Sequence, residues 1–486
     1  MHTVGIQNRS GVSCHISSAL QVLLHALNEQ QLQSFLHLST FLKSKKSELE
    51  ILSREAQDCC EETDFILHFG LFLAQIEKSQ HDEDDESIDP TSLFNFLSFK
   101  LDSTEAGDAS SSLRILMQML QQSIDFICQT NKVIIDVKIL DDFKALKKSL
   151  YESFWNGLMS HQISGSKSIT EIDNVGIQHR VKTMRSKASK DRQLPTMITI
   201  PVNKNDAKGE PKNLVDSFNK LISQSQRIIG FDWEGLEETE YVQNKIDLGP
   251  VVSEDVNVNS LSLNDENQGQ HASLENQLIQ SKDSSSLSSS SSSSSSFSTS
   301  SSDSTSSDSS TESGWITEKK VWLKNVPNTL LFQLKRFEYK QGKTCVMTNR
   351  IEIPIDFHLY EEENESLRAC ANLDNNSSLS YTLKAAIVYT EQNPRSRNNK
   401  DDIGHYLTYL RKNQNEWIKV NDEKVSSLHV TSKENEIDET LKSDKTNDSK
   451  TKTVSWDQFL RVLGGLETEK GFWGAFVLMY ERIKIK

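Results

Sequence analysis

The sequence predicts an α+β protein, on three observations: helical periodicity through residue 160, short β-branched or alternating runs over residues 314–486, and a serine-rich break between them. In residues 14–27, Ile16, Leu20, Leu23, Leu24 and Leu27 share one helical face. Helical patterns continue through 29–80 and, past the acidic loop HDEDDE at 81–86, through 89–160. There Asp89 reads as an N-cap, with Pro90 at the first helical position. LPTMITIPV at 194–202 is short and β-branched, a strand pattern. Residues 252–313 are Ser, Asn, Asp and Glu, ending in a near-pure serine tract at 284–313. That composition cannot bury enough apolar surface to offset its ordering entropy, so disorder is expected there. A second polar stretch, 431–453, reads as a surface loop. Around these gaps KVWLKNV, TLLFQLKRFEY, NRIEIPIDFHL, YTLKAAIVYT, HYLTYLRK, EWIKV and AFVLMYER have strand length, and several alternate with period two. A helical lobe and a sheet lobe place the default site at their junction.

Composition narrows the function. The chain has 486 residues, a formal net charge of −15 and a mean hydropathy of −0.54, which fits a folded enzyme carrying polar insertions. No basic block occurs, which argues against nucleic acid as the main partner, and an acidic surface favours a basic one. The cysteines stand at 14, 59, 60, 128, 345 and 370 with no C-x-x-C pair, so neither a disulfide framework nor a four-cysteine metal site is legible. The start MHTVGIQNRSG has no signal-peptide core, and no apolar run reaches membrane-spanning length. These features predict an intracellular protein, cytoplasmic or nuclear, with reduced thiols and no membrane partner.

A thiol nucleophile needs a base within reach and a group that orients the base. Cys14 begins an amphipathic helix, where unpaired N–H groups favour negative charge, after a polar loop rich in small residues. A cysteine beside apolar positions is also commonly a small core residue. His405 follows Gly404 at the start of the strand pattern HYLTYL, and Trp417–Val420 makes another short strand ending at Asn421 and Asp422. If the two strands are antiparallel neighbours, Asn421 or Asp422 holds the imidazole by one nitrogen and leaves the other for a thiol. Asn-Asp before Glu-Lys is equally an ordinary turn sequence.

Four blocks then resemble one family, the ubiquitin-specific proteases, in that family's order. Gly5-Ile6-Gln7-Asn8 through Gly11-Val12-Ser13-Cys14 and Ser18-Ala19-Leu20-Gln21 resemble its cysteine box. Pro327-Asn328-Thr329-Leu330 with Leu334-Lys335-Arg336-Phe337-Glu338-Tyr339 looks like its P-x-x-L…L-K-R-F-x-Y strand. The stretch from Tyr381 through Gly404-His405-Tyr406 and Trp417 to Asn421-Asp422 is similar to its histidine box, and Gly464-Gly465 with Ala475–Arg482 to its closing strand. The resemblance implies a papain-like fold: a helical thumb (1–160), a fingers-like β region (161–251), the serine-rich insertion (252–313) and a β-rich palm (314–486). It implies a thiol-dependent hydrolase cutting after the C-terminal glycine of ubiquitin, with ubiquitin and ubiquitinated proteins as partners. Cys14 is then the nucleophile, His405 the base, Asn421 the third member, Asp422 its polar neighbour and Asn8 an oxyanion donor.

Departures accompany the match. One extra residue lies between Asn8 and Cys14, so displacement of the oxyanion donor is expected to cost rate. His15 replaces the usual aromatic and Ser17 a common Asn, while Gly107-Asp108-Ala109 stands where the family has Gln-Asp-Ala. Phe154-Trp155-Asn156-Gly157 through Gln162-Ile163 looks like the approach to the fingers zinc site, yet Ser164 and Lys167 occupy its two cysteine positions. No metal and no cofactor are therefore expected. The alternative to an active enzyme is a catalytically impaired member acting as a ubiquitin-binding or scaffold protein.

Overall fold

The computed structural model describes residues 3–8, 11, 13–45, 60–79, 87–98, 100–101, 107–130, 137–172, 177–202, 212–223, 226–228, 239–250, 316–340, 343–362, 366–370, 377–392, 404–431, 452–468 and 471–483. The serine tract and nearly all of the 431–453 stretch lie outside the described residues. Contacts divide the chain into two units. One comprises residues 1–164, 187–227 and 318–486, and the other residues 165–186 and 228–317. In the second unit, residues 177–186 pair antiparallel with residues 239–250.

The first unit mixes helices with a large sheet, an α+β architecture. Its helices are α1 (Cys14–Ala26), α2 (Glu29–Ser44), α3 (Cys60–Ser79), α4 (Thr91–Leu97), α5 (Ala109–Thr130), α6 (Val137–Leu150), α7 (Leu214–Ser223) and α8 (Trp456–Gly464). A π-helical turn, Tyr151–Trp155, closes α6. Capping residues set several starts. Asn28 and Gln31 form a reciprocal box on α2, and Ser455 and Gln458 another on α8. At α4 the Asp89 carboxylate accepts from the Thr91 N–H at 3.0 Å, so the helix begins one residue later than the Asp-Pro pattern predicts.

The sheet is built from β1 (Met197–Pro201), β2 (Thr329–Lys335), β3 (Asp356–Glu362), β4 (Ser366–Cys370), β5 (Ser377–Gln392), β6 (His405–Arg411), β7 (Glu416–Asn421), β8 (Lys424–Thr431), β9 (Lys452–Ser455) and β10 (Gly471–Arg482). The long strand β5 is its spine. One edge of β5 pairs with β10, which leads to β2 and β1. The other edge pairs first with β3, then with β6, which leads to β7, β8 and β9. Only the β1–β2 and β8–β9 pairs in this set are parallel.

Both faces of this sheet are covered, which explains its sequence. Along β10, Phe476, Val477 and Met479 join the core shared with α1 to α6. Ala475, Leu478 and Tyr480 join the core shared with α7 and α8. The run AFVLMY is continuously apolar because neither face meets water. Helix α1 is buried all round from Cys14 to Leu24, between α5 and β6, and so carries its chemistry in the middle of the unit. Arg336, fully buried, donates to the carbonyls of Ala475 (2.8 Å), Met347 (3.1 Å), Asn349 (2.8 Å) and Gly464 (2.6 Å), joining β2, β10 and the end of α8. Burial pushes its pKa down, while the four carbonyl dipoles satisfy its charge.

Candidate active site

Cys14 is the first residue of α1, where the leading N–H groups have no partner within the helix. Its residue is 4 % exposed. Ahead of it, Gly11 takes a left-handed φ of 72°, and Ser13 turns back so that its N–H (3.2 Å) and its hydroxyl (2.8 Å) both donate to the Asn8 side-chain oxygen. Two donors on Oδ1 fix the flip of the Asn8 amide and aim its Nδ2 the other way, toward Asp422 Oδ2 at 3.0 Å. Asn8 is thus held from two sides, by Ser13 and by Asp422.

His405 opens β6. The preceding Gly404 is packed so closely on the Tyr389 phenol that a Cβ there would overlap it. The antiparallel pairing of β6 with β7 then brings the end of β7 to the imidazole. Asn421 Oδ1 accepts from His405 Nε2 at 2.5 Å, and Asp422 Oδ2 stands 3.7 Å from the same nitrogen. Strand β7 returns into β8 through a two-residue turn, Asp422-Glu423, closed by the Asn421–Lys424 pair. Asp422 takes a φ of 50°, a conformation that Asp tolerates better than most residues.

The segment that carries Asn8 is clamped to this turn. Ile6 N–H donates to the Asp422 carbonyl at 3.0 Å, and Gln7 N–H and Ile88 N–H pair with Ile88 and Gly5 carbonyls at 2.9 and 2.8 Å. Gln21, from α1, donates to the Val4 carbonyl. Gly5 has no room for a side chain, because a Cβ would run into the Glu423 carbonyl. Ser13 and Gly5 thus serve the site, and their signals in the sequence were a hydroxyl and a glycine within an ordinary polar loop.

The electrostatics bind the group together. Burial alone would lower the His405 pKa. Hydrogen bonds with Cys14 and Asn421 and the charges of Cys14 and Asp422 outweigh it and carry the value up from 6.5 to about 9. For Asp422 burial wins and holds the carboxyl above its usual range, against the Asn8 hydrogen bond and the His405 charge. All five residues singled out in the sequence, Asn8, Cys14, His405, Asn421 and Asp422, therefore fall in one cluster. A thiol meets an imidazole, the imidazole meets an amide oxygen, and a second amide is anchored beside the thiol's helix. Among the described residues, no group of three or more His, Cys, Asp or Glu side chains is arranged to hold a metal ion.

Comparison with known proteins bears on the family of the chain. The family model described as "Ubiquitin carboxyl-terminal hydrolase" matches residues 4–480. Ubiquitin carboxyl-terminal hydrolase 13 of Saccharomyces cerevisiae is 26 % identical over 113 residues, which is 23 % of this chain and only 13 % of that relative. Among solved structures, the SAGA DUB module of Ubp8, Sgf11, Sus1 and Sgf73 aligns over 100 % of this chain and 69 % of that chain, with 12 % identity and a TM-score of 0.43. The resemblance read from four sequence blocks is borne out by a match that runs from the Asn8 segment to the closing strand: the chain belongs to the ubiquitin carboxyl-terminal hydrolase family.

Proposed function

We propose that this chain is an active thiol-dependent deubiquitinase, hydrolysing the isopeptide or peptide bond at the C-terminal glycine of ubiquitin. The observation that carries the reading is the hydrogen-bonded series Cys14–His405–Asn421, assembled from segments nearly 400 positions apart. In this reading the Cys14 sulfur attacks the glycine carbonyl carbon while its proton resides on His405. The imidazolium then protonates the departing lysine amine, and His405 next takes a proton from the water that releases the acyl group. Asn421 holds the ring by its Nε2–H and leaves the other nitrogen for the thiol. One Nδ2 proton of Asn8 is engaged by Asp422, and the other serves the oxyanion beside the first N–H groups of α1. Ubiquitin's basic tail suits a chain with a net charge of −15.

A second reading, a ubiquitin-binding member without turnover, draws on the burial of the Cys14 residue, only 4 % of which is exposed. The two separate under a ubiquitin bearing a thiol-reactive group at its C-terminus. The active reading expects a covalent adduct that Cys14→Ala abolishes. Reversible binding with no adduct leaves the second reading in its place.

A further inference from the structure

The residue after the nucleophile and the residue after the base both turn toward one structural feature, the N-terminal turn of α5 at residues 107–112. His15 is 3 % exposed, and its Nδ1 lies 2.7 Å from the Ser112 hydroxyl. That hydroxyl in turn donates to the Asp108 carbonyl at 3.1 Å. Because a hydroxyl has one proton, His15 Nδ1 is the donor to Ser112 in this arrangement. Tyr406, 3 % exposed, faces the same turn from β6. Burial, and then the charge of Asp108, hold its phenol well above its ordinary pKa. The Ala109 N–H approaches the phenol oxygen without closing a hydrogen bond of normal geometry. The turn is itself rigid: the Asp108 carboxylate accepts from the N–H and hydroxyl groups of Ser110 and Ser111, and Ser110 accepts from Gln333 of β2 at 2.6 Å.

Gly107 is what lets His15 sit there. A Cβ built on Gly107 would lie 2.5 Å from His15 Cε1 and 2.8 Å from Nε2, distances that real Cβ atoms do not show. The two departures noted in the sequence, His15 for an aromatic and Gly107 for a glutamine, therefore stand in direct contact. The ring occupies space that any side chain at 107 would take.

We propose that His15 is a positioning residue for Cys14, and that its ring, wedged between Gly107 and Ser112, sets the nucleophile's register against His405. The residue next to the nucleophile is pinned to a turn that β2 and the residue after the base also touch. A shift of that ring moves the first turn of α1, and the sulfur with it. Displacement of a reacting atom by about 1 Å costs on the order of 100-fold in rate.

The inference rests on the reading of Cys14 as nucleophile, and its test keeps the two apart. Gly107→Ala, His15→Asn and the pair His15→Asn/Gly107→Ala are compared with wild type in cleavage of a ubiquitin C-terminal amide. Iodoacetamide labelling of Cys14, followed by site-resolved mass spectrometry, runs alongside and needs no ubiquitin. Asn keeps a donor near the Nδ1 position while removing the ring edge that faces residue 107. Expected are a fall in kcat of about 30-fold for Gly107→Ala with KM within twofold, a smaller fall of about 5-fold for His15→Asn, which loses the wedged ring but keeps its donor, and a pair whose kcat stays within a few-fold of His15→Asn. Cys14 labelling rates should follow the same order. Overturning results are an unchanged kcat and labelling rate in Gly107→Ala or in His15→Asn, an undiminished loss in the pair, or a loss that follows the thermal midpoint across all three variants. Absence of wild-type cleavage would defeat the deubiquitinase reading, and the labelling rates would then decide the positioning role alone.

Discussion

At the scale of single residues, the site is a competition between burial and pairing. His405 is buried enough to disfavour its charge, yet its bonds to Cys14 and Asn421 and the nearby Asp422 hold it protonated to about pH 9. Since that value lies above the ordinary 6.5, the stabilisation from this pairing is full below about 6.5 and is lost as pH rises through about 9. The alkaline limb of kcat/KM should therefore fall near pH 9, where the imidazolium that protonates the leaving amine disappears. Asn421→Ala removes one of the raising interactions. It should move that limb to lower pH and cut kcat by about 10- to 1000-fold, as a pH–rate series would read. Asp422 calls for a different substitution. Its left-handed φ means that Asp422→Gly deletes the carboxylate without straining the turn. Loss of the Asn8 anchor and of the charge beside His405 should then lower kcat about 10- to 100-fold with little change in thermal midpoint. Wild-type kcat in that variant would remove Asp422 from the account.

At the scale of elements, what could be read in the sequence follows from what sets each element. The strand YTLKAAIVYT is legible by its length and β-branched content, and the closing strand AFVLMYER by its length and apolar run. Helix α1 was legible by one apolar face, but its opposite face is buried too, with Ser17, Ser18 and Gln21 inside, and periodicity does not announce a helix buried all round. Helices α7 and α8 are hard to read for a different reason: each is short and lies within or beside polar, strand-rich sequence. Their signals are local. Asn213 Oδ1 accepts from Val215 N–H at 2.8 Å ahead of α7, while Ser455 and Gln458 make the box that starts α8. Of the site, the residue types and order were legible. The anchoring of Asn8 was not, since its bond to Asp422 spans 414 positions and its bonds to Ser13 depend on the turn of an irregular polar loop. Arg336 belongs to this scale because it fastens three elements through four carbonyls. Arg336→Lys cannot reproduce that fork, and it should destabilise the unit by about 2 kcal/mol, seen as a lower urea midpoint. An unchanged midpoint would show that the carbonyls find other partners.

At the scale of the molecule, helices α1 to α6 and the sheet share one core, and the site lies where α1 crosses β6. The Asn8 segment, β6 and the β7–β8 turn each contribute to it, so the site stands only if the helical part and the sheet pack together. Ser164 and Lys167 stand where the resemblance places two zinc cysteines. The activity should accordingly survive exhaustive chelation with an unchanged thermal midpoint, and a chelator-sensitive midpoint would reveal a metal site elsewhere in the chain. The central claim, that Cys14 is a competent nucleophile for the C-terminus of ubiquitin, is tested most directly by incubating the full chain with a C-terminally thiol-reactive ubiquitin. The account predicts one ubiquitin added per chain, attached at Cys14, and none on Cys14→Ala. No adduct on the wild-type chain, or an adduct that persists in Cys14→Ala, would contradict it.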